Sequence, residues 1–155
     1  MKTFKIGAIF TVVIALIAVI ALPYTQHFNR DFKADNAQYI ENFVRDFSTT
    51  WEITSVKDQL SNQLLSLIAE PEGQIALAQY RTLGALKDIR DLELTGYESN
   101  AQEEVGVFQF KARFHNADTI ITFTLIKSEI GKRVDGMKIK TIEKNAEQSE
   151  EPFVT

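Results

Sequence analysis

The strongest hydrophobic pattern in the chain is an unbroken apolar run from Ile6 to Leu22, which follows Lys2 and Lys5. The run has about 17 residues, and none of them is charged. As an α-helix it would be roughly 25 Å long, slightly less than the roughly 30 Å of a bilayer's hydrocarbon core. The pattern therefore predicts either a membrane anchor or the apolar region of a signal peptide.

The two fates of this segment differ in whether it is cleaved. The best candidate for a signal-peptidase site is Val19-Ile20-Ala21. The apolar run continues to Leu22, and Tyr24 would lie at the depth of the lipid headgroups, so we favour an uncleaved anchor. The two lysines before the run, with mixed charges after it, place the amino terminus in the cytoplasm. We therefore expect a bacterial inner-membrane protein with a periplasmic or other extracytoplasmic domain, or a domain secreted to the periplasm if the leader is cleaved.

Three segments with helical periodicity follow residues 24–35, which we interpret as a linker or an extension of the anchor helix. Apolar side chains spaced by three and four residues predict the first helix from Asn36 to Ser48. The same spacing predicts the second helix from Ser55 to Ala69, with an inner side made of Val56, Leu60, Leu64, Leu65 and Ile68. The third begins at Pro71, a residue tolerated in a first helical turn, and Gly84 closes it.

From about Asp88 the periodicity changes to two, which is typical of strands with one buried and one exposed face. Four strands are predicted, over Asp91 to Tyr97, Val105 to His115, Ile120 to Ile126 and Met137 to Thr141. The short polar segments Asn116 to Asp118 and Glu129 to Lys132 have the composition of turns. The last three strands are therefore expected to be joined by tight turns.

Helices followed by an antiparallel meander predict an α+β domain over residues 36–143, with the helices packed on a curved sheet of about four strands. The composition, with 45% hydrophobic and 25% charged residues in a chain of 155, is ordinary for one folded domain. The glutamate-rich residues 144–155 are predicted to form a disordered acidic tail.

Charge and cysteine content exclude several classes of function. The net charge is −4, or −6 without Lys2 and Lys5, and no cluster of lysine and arginine stands out. Nucleic acid is therefore not an expected partner. The chain has no cysteine, which excludes disulfides, thiolate catalysis, thiolate metal ligands and a lipid-modified cysteine after the leader.

Three segments of the domain carry a recognisable pattern. They are the aromatic first helix with Tyr39, Phe43 and Phe47, the segment Gln79 to Lys87 with its tyrosine, leucine-glycine and leucine-lysine order, and the strand segments Phe110 to Phe114 and Thr124 to Lys127. Together with the order of elements, they resemble the cystatin-like or nuclear-transport-factor-like superfamily, especially its small exported bacterial domains of unknown function. The resemblance covers about Asn36 to Glu143. It implies a cone-shaped fold in which helices and a bent sheet enclose a pocket, used in relatives for isomerisation, small-ligand binding or dimerisation.

Few residues are candidates for chemistry. His115 beside Asn116 and Asp118 could form a metal or acid–base cluster, but a hairpin turn favours asparagine and aspartate for its geometry alone. His27 stands alone after the apolar run, and two histidines without cysteine supply no zinc ligand set. We therefore predict no metal, no cofactor and no catalytic residue.

An isomerase of the ketosteroid type would need a carboxylate base and a hydroxyl donor that face an apolar cavity. Asp91 is the candidate base, and Tyr39, Tyr80 and Tyr97 are the candidate donors. Tyrosines at helical spacing are more typical of a core, so we do not favour an enzyme.

Trp51 and two acidic runs are also interpreted as structural. Trp51 lies between the first two helices and could line a pocket mouth or a protein contact, although core packing is the simpler interpretation. Glu103-Glu104 and Glu147 to Glu151 are interpreted as solvated charges.

The sequence leaves two main hypotheses about function. The first is a noncatalytic extracytoplasmic domain, attached to the membrane through Ile6 to Leu22, that binds another protein or itself, with the sheet face as the preferred contact. The second is a pocket inside the fold for a lipid or another small apolar molecule. A cavity of roughly several hundred Å³ with converging polar groups would favour the pocket, and a filled core would favour the interaction domain.

Overall fold

The computed structural model describes residues 30–143. The predicted anchor or signal segment Ile6 to Leu22, His27 and the predicted tail of residues 144–155 lie outside this range. Within the range, no helix is both long enough and apolar enough to cross a bilayer. The chain divides into two compact units, with the boundary between Tyr39 and Ile40.

The described part of the first unit, residues 30–39, is helical throughout and belongs to helix α1, which is described over residues 30–50. Phe32 and Asn36 are one turn apart, and both are buried. The Asn36 side-chain amide donates a hydrogen bond of 2.7 Å to the Phe32 carbonyl. Residues 30–35, for which the sequence allows a linker or a helix extension, are therefore helical.

The second unit contains the rest of α1 and the other described elements. Two 3₁₀ turns, Ile53–Ser55 and Lys57–Gln59, lead into α2 (Asn62–Ala69) and α3 (Pro71–Arg81). The strands follow as β1 (Leu86–Ser99), β2 (Glu103–Phe114), β3 (Asp118–Ser128) and β4 (Gly131–Thr141). They form one antiparallel sheet in the order β1-β2-β3-β4. The predicted α+β class, with three helices packed on a four-stranded antiparallel sheet, is confirmed.

The predicted second helix, Ser55 to Ala69, is wrong over its first half. Leu60 is extended, with φ −95° and ψ 147°, and forms a parallel bridge with Val134 of β4. The N–H of Ser61 donates to the Val134 carbonyl at 2.9 Å. Helix α2 begins only then, because the Ser61 hydroxyl caps it by accepting from the Leu64 N–H at 3.0 Å. The earlier apolar residues, Val56 and Leu60, each directly follow one of the two 3₁₀ turns, and their spacing of four residues imitates that of a helix.

The third helix lies where the sequence predicts. Pro71 is in its first turn, where the missing N–H costs no hydrogen bond. The helix ends at Arg81, and Gly84 follows with φ +77°. A Cβ on Gly84 would lie 2.9 Å from the Cβ of His115. Glycine is therefore needed both for the positive φ and for the close approach to the β2–β3 turn.

Gly73 of α3 sets how closely α2 and α3 pack. A Cβ at this position would lie 2.7 Å from the Cα of Ile68 and would also meet the Leu67 carbonyl oxygen, both of which are backbone atoms of α2. In an open helix a change from glycine to alanine stabilises by about 0.5–1 kcal/mol. We expect Gly73→Ala to destabilise instead, by about 1–3 kcal/mol in a denaturant titration, because the added methyl group overpacks the contact.

The control for this prediction is Gly96→Ala in β1. A Cβ on Gly96 would meet no atom closer than 3.5 Å, so its stability should change little. Equal losses in the two variants would show that the close approach at Gly73 does not constrain the fold.

The strands extend further than the sequence pattern predicts. β2 and β3 agree with prediction to within two residues at each end, whereas β1 begins at Leu86 and β4 at Gly131. β1 has register shifts at three places, and β4 has one opposite Thr124 and Leu125 of β3. Each bulge adds a residue and reverses the alternation of faces. The sequence pattern with a period of two residues therefore ends at the bulge, although the strand continues beyond it.

Trp51 ends α1 and packs in the core. Its backbone has φ +56°, a left-handed conformation common where helices end. The side chain is 3% exposed, and its indole N–H donates to the Gly84 carbonyl at 3.0 Å. The Trp51 ring centroid lies 5.4 Å from that of Phe114. Core packing, the simpler of the interpretations of Trp51, is confirmed.

Candidate functional site

The inner face of the sheet, which the helices cover, is filled by side chains. Alternate residues of β2 and β3 point to this face and are at most 2% exposed: Phe108, Phe110, Ala112, Phe114, Ile121, Phe123 and Leu125. Phe43 of α1 packs edge to face on this layer, with its ring centroid 5.5 Å from that of Phe123. Aromatic rings thus occupy the space in which a central pocket would lie.

An apolar cavity lies between the helices and β4. Its volume is about 160 Å³, below the roughly 300–1,000 Å³ of small-molecule sites. Its polar side chain is Tyr80, whose hydroxyl accepts from the Ile139 N–H at 3.3 Å. The lining is Phe43, Phe47, Ile53, Leu60, Leu64, Leu67, Ile68, Gly73, Ala76, Leu77, Tyr80, Val134 and Met137. Small size and a single polar side chain argue against the ligand-pocket hypothesis.

A polar cluster of Tyr97, Glu104 and Lys127 lies on the inner side of the sheet, near the end remote from the His115 turn. The Tyr97 hydroxyl donates to Glu104 Oε1 at 2.7 Å, and Lys127 Nζ lies 3.0 Å from Glu104 Oε2. The hydrogen bond from Tyr97, more than the Lys127 charge, lowers the pKa of Glu104. Burial, and then the bond to Glu104, raises the pKa of Tyr97. A carboxylate with a lowered pKa is a weak base, so this cluster does not suit proton abstraction.

The interpretation of Glu104 as a solvated charge is wrong. Its side chain is 30% exposed and is held by a tyrosine and a lysine. The strand pattern could have predicted that Glu104 faces inward. Glu104 lies four positions before Phe108 in the same strand, and residues an even number of positions apart face the same side of a sheet. Lys127 could not be found in this way, since it reaches Glu104 only through the register of β2 and β3.

Tyr97→Phe should raise the pKa of Glu104 toward the ordinary glutamate value. Since the pKa in the folded state lies below that value, ionised Glu104 stabilises the fold above about pH 4.3, and this contribution disappears as the pH falls through the folded-state pKa. We therefore expect the variant to lose less unfolding free energy than wild type between about pH 5 and pH 3. Carboxyl NMR titration and denaturant unfolding at stepped pH measure the two effects.

Lys127→Met is the matched control for this titration. It removes both the hydrogen bond and the charge of Lys127, each of which is a smaller single cause than the hydrogen bond from Tyr97, so the pKa of Glu104 should rise in this variant too. An unchanged pKa of Glu104 in Tyr97→Phe, beside a raised one in Lys127→Met, would show that the hydrogen bond from Tyr97 does not lower it.

Three of the candidates for an isomerase site, Asp91, Tyr80 and Tyr97, are not brought together. Asp91 is 62% exposed and lies 2.8 Å from Lys111 Nζ, whose hydrogen bond lowers the pKa of Asp91. Tyr97 lies further along β1, roughly 17 Å away. Tyr80 lines the apolar cavity, and Tyr39 belongs to the first unit.

The turn that contains His115 has a structural function. The backbone N–H groups of His115 and Asn116, and the Asn116 side-chain amide, donate to carbonyls of residues 82–85 at 2.8–3.0 Å. Asp118 pairs with Arg113 at 3.2 Å. An open depression of about 560 Å³ lies here, but residues 30–143 contain no group of three His, Asp or Glu side chains that could hold a metal ion. These contacts support the turn interpretation of the cluster.

The outer face of the sheet, opposite the helices, carries β-branched residues along its middle, beside the exposed polar side chains of Gln109, Lys111 and Arg113 of β2. Six partly exposed residues of β2 and β3 form what we call the central strip: Val105, Val107, Ile120, Thr122, Thr124 and Ile126. Gly96 and Gly136 flank it in the row of Val107 and Thr124. Branched side chains are already restricted in rotamer, so covering them costs little entropy.

Charges of opposite sign lie on either side of the central strip. Glu93 and Glu98 of β1 form an acidic edge, whereas Arg133, Lys138 and Lys140 of β4 form a basic edge. Within residues 30–143, none of these five side chains forms an ion pair, although Glu93 is near enough to Lys111 of β2 to help raise the pKa of that lysine. The other carboxylates on the outer side of β1 are already neutralised, Asp88 by Arg90 at 2.7 Å and Asp91 by Lys111 at 2.8 Å.

The two edge strands are poor templates for adding another strand. β1 is interrupted by its three register shifts and carries charged side chains, two features that block edge pairing. Along β4, Ser61 already donates to the Val134 carbonyl and the Tyr80 hydroxyl accepts from the Ile139 N–H. Neither edge strand therefore offers a regular, fully open edge to another strand.

Comparisons with protein-family models, characterised proteins and solved structures find no match for this chain. The resemblance to the cystatin-like or nuclear-transport-factor-like superfamily stays a prediction.

Proposed function

We propose that this chain is a noncatalytic, membrane-attached domain outside the bacterial cytoplasm, and that it binds a protein through the outer face of its sheet. The main support is the central strip, which is largely apolar (Val and Ile, with Thr122 and Thr124) and partly exposed between two edges whose charges form no ion pair within the described residues. Interfaces commonly combine such an apolar middle with a charged rim.

The interior supports binding by a surface. The inner face is occupied by buried aromatic rings, and the cavity beside it, at about 160 Å³, is small for a ligand. The polar cluster around Glu104 has a carboxylate of lowered pKa, which is the opposite of what a general base needs. A domain that functions by binding another protein needs neither a large internal pocket nor a general base.

The finer fold assignment, a cystatin-like or nuclear-transport-factor-like cone, is part of the proposal. The order of helices followed by a meander supports it. The bulges in β1 and β4 also support it, because bulges bend and twist a sheet.

Site-specific photo-cross-linking in living cells tests the binding face. A photo-reactive amino acid is placed at Thr122 in the central strip and, as the matched control, at exposed Gln63 of α2. We expect a protein adduct from Thr122 and none from Gln63. Adducts from Gln63 alone, or equal yields from both positions, would exclude the outer face as the binding surface.

Export is tested separately with a reporter. Alkaline phosphatase fused after Glu143 should be active, and should sediment with membranes, because the amino-terminal lysines and apolar run predict transfer of the domain across the membrane. An inactive fusion would refute export. The mass of the amino terminus then distinguishes a retained anchor from a cleaved signal peptide.

A further inference from the structure

We infer that the molecule that covers the outer face is a second copy of this chain. The inference rests on the proposed function, since it names the partner for the same surface. It comes from the register of the sheet, which places an acidic residue of β1 and a basic residue of β4 at the two ends of the same cross-strand row.

Two such rows are complete across all four strands. One row is Glu93, Gln109, Thr122 and Lys138, and the other is Glu98, Val105, Ile126 and Arg133. The ends of a row are three strand spacings apart, about 14 Å. The acidic and basic ends therefore cannot meet within one molecule, but a second molecule can bring them together.

One symmetric arrangement does so. Two copies are stacked outer face to outer face, and the two-fold axis runs between β2 and β3, parallel to the strands. β1 of each copy then lies over β4 of the other, and the rows keep their order. Glu93 faces Lys138 and Glu98 faces Arg133, and each pair occurs twice because the interface is two-fold symmetric.

The dimensions of stacked sheets allow these pairs. Packed sheets lie about 10 Å apart and cross at about 30°, so a facing glutamate and lysine can reach each other across the rim. The central strips meet between the charged edges, where branched side chains exclude water. A further row, Arg90, Lys111, Ile120 and Lys140, has two basic ends that would face each other in this arrangement. The Arg90 charge is balanced by Asp88 at 2.7 Å, and that of Lys111 by Asp91 at 2.8 Å.

The other face-to-face arrangement, with the two-fold axis across the strands, is disfavoured by charge. It would stack β1 on β1 and β4 on β4. The acidic edges would then oppose each other, and so would the basic edges, at a cost that unpaired charges cannot recover. The charge pattern therefore selects both the partner and its orientation.

The test is the self-association of the full chain, extracted from membranes in detergent and measured by sedimentation equilibrium. We expect a dimer. Glu93→Lys and Lys138→Glu should each weaken association about tenfold or more, because each turns two attractions into two repulsions. The double variant Glu93→Lys/Lys138→Glu should recover most of the loss. Glu72→Lys, the same charge change on exposed α3, should leave association unchanged.

Each alternative outcome has a defined meaning. A wild-type chain that stays monomeric overturns the inference; if the Thr122 adduct then contains a different protein, the proposed function stands, and if there is no adduct both fail. A dimer insensitive to both single reversals is held by other contacts and also overturns the inference. If wild type formed heterodimers with Glu93→Lys in preference to homodimers, β1 would have to lie on β1 of the other copy. That result would overturn the inferred arrangement. Circular dichroism melting verifies that each variant is folded.

Discussion

Phe123→Ala is expected to lower the free energy of unfolding by about 3–5 kcal/mol. Phe123 is 0% exposed, and its ring centroid lies 5.5 Å from that of Phe43 and 6.3 Å from that of Phe110. β3 is hydrogen-bonded on both sides, so the backbone cannot move inward to close the cavity. The loss would be a large part of the roughly 5–15 kcal/mol that stabilises a domain.

Urea unfolding measures this loss, followed by the fluorescence of the chain's one tryptophan, Trp51. The matched control is Thr122→Ala, the neighbouring position on the outer face, which should change stability by about 0.5 kcal/mol or less. A larger loss at Thr122 than at Phe123 would mean that the strand is shifted by one residue, since such a slip exchanges the two faces.

Trp51→Ala is expected to cost a similar amount, about 3–5 kcal/mol. The indole ring touches three parts of the fold: its centroid lies 5.2 Å from that of Phe47 in α1, 6.0 Å from Tyr80 in α3 and 5.4 Å from Phe114 in β2. Alanine retains the strained backbone conformation of this position without the packing that offsets it.

Trp51→Phe distinguishes the contribution of ring packing to stability from that of the indole hydrogen bond. It should cost about 1–3 kcal/mol, because the Gly84 carbonyl loses its donor while most of the packing remains. Both variants lack tryptophan, so unfolding is followed by far-ultraviolet circular dichroism. A loss below about 1 kcal/mol in Trp51→Ala would contradict a core function for this side chain.

The sequence predicts the elements of this fold well where one period holds over a whole element. The stripe with Phe43 and Phe47 predicts α1, and the alternation from Phe108 to Phe114 predicts β2. Prediction fails where the backbone changes its repeat. The two 3₁₀ turns before Ser61 imitate a helix, and the bulges in β1 hide its first residues.

The candidate surface could be predicted only in outline. Alternation shows that Thr122 and Thr124 face away from Phe123, so an open face of β3 follows from the sequence. The rows that join Glu93 to Lys138 do not follow, because they depend on where β1 and β4 gain a residue relative to their neighbours. Glu93 and Lys138 are brought into one row only by the pairing of β1 with β2, of β2 with β3 and of β3 with β4.

The three register shifts of β1 have a consequence for how far assembly can proceed. A chain with a regular, open edge strand can recruit further copies without end and grow into a filament. Here β1 is irregular, and β4 already bonds to Ser61 and Tyr80 at two positions, so a pair formed through the outer faces would present no regular open edge strand to a third copy. If the proposed pair forms, we therefore expect a finite complex and not a polymer.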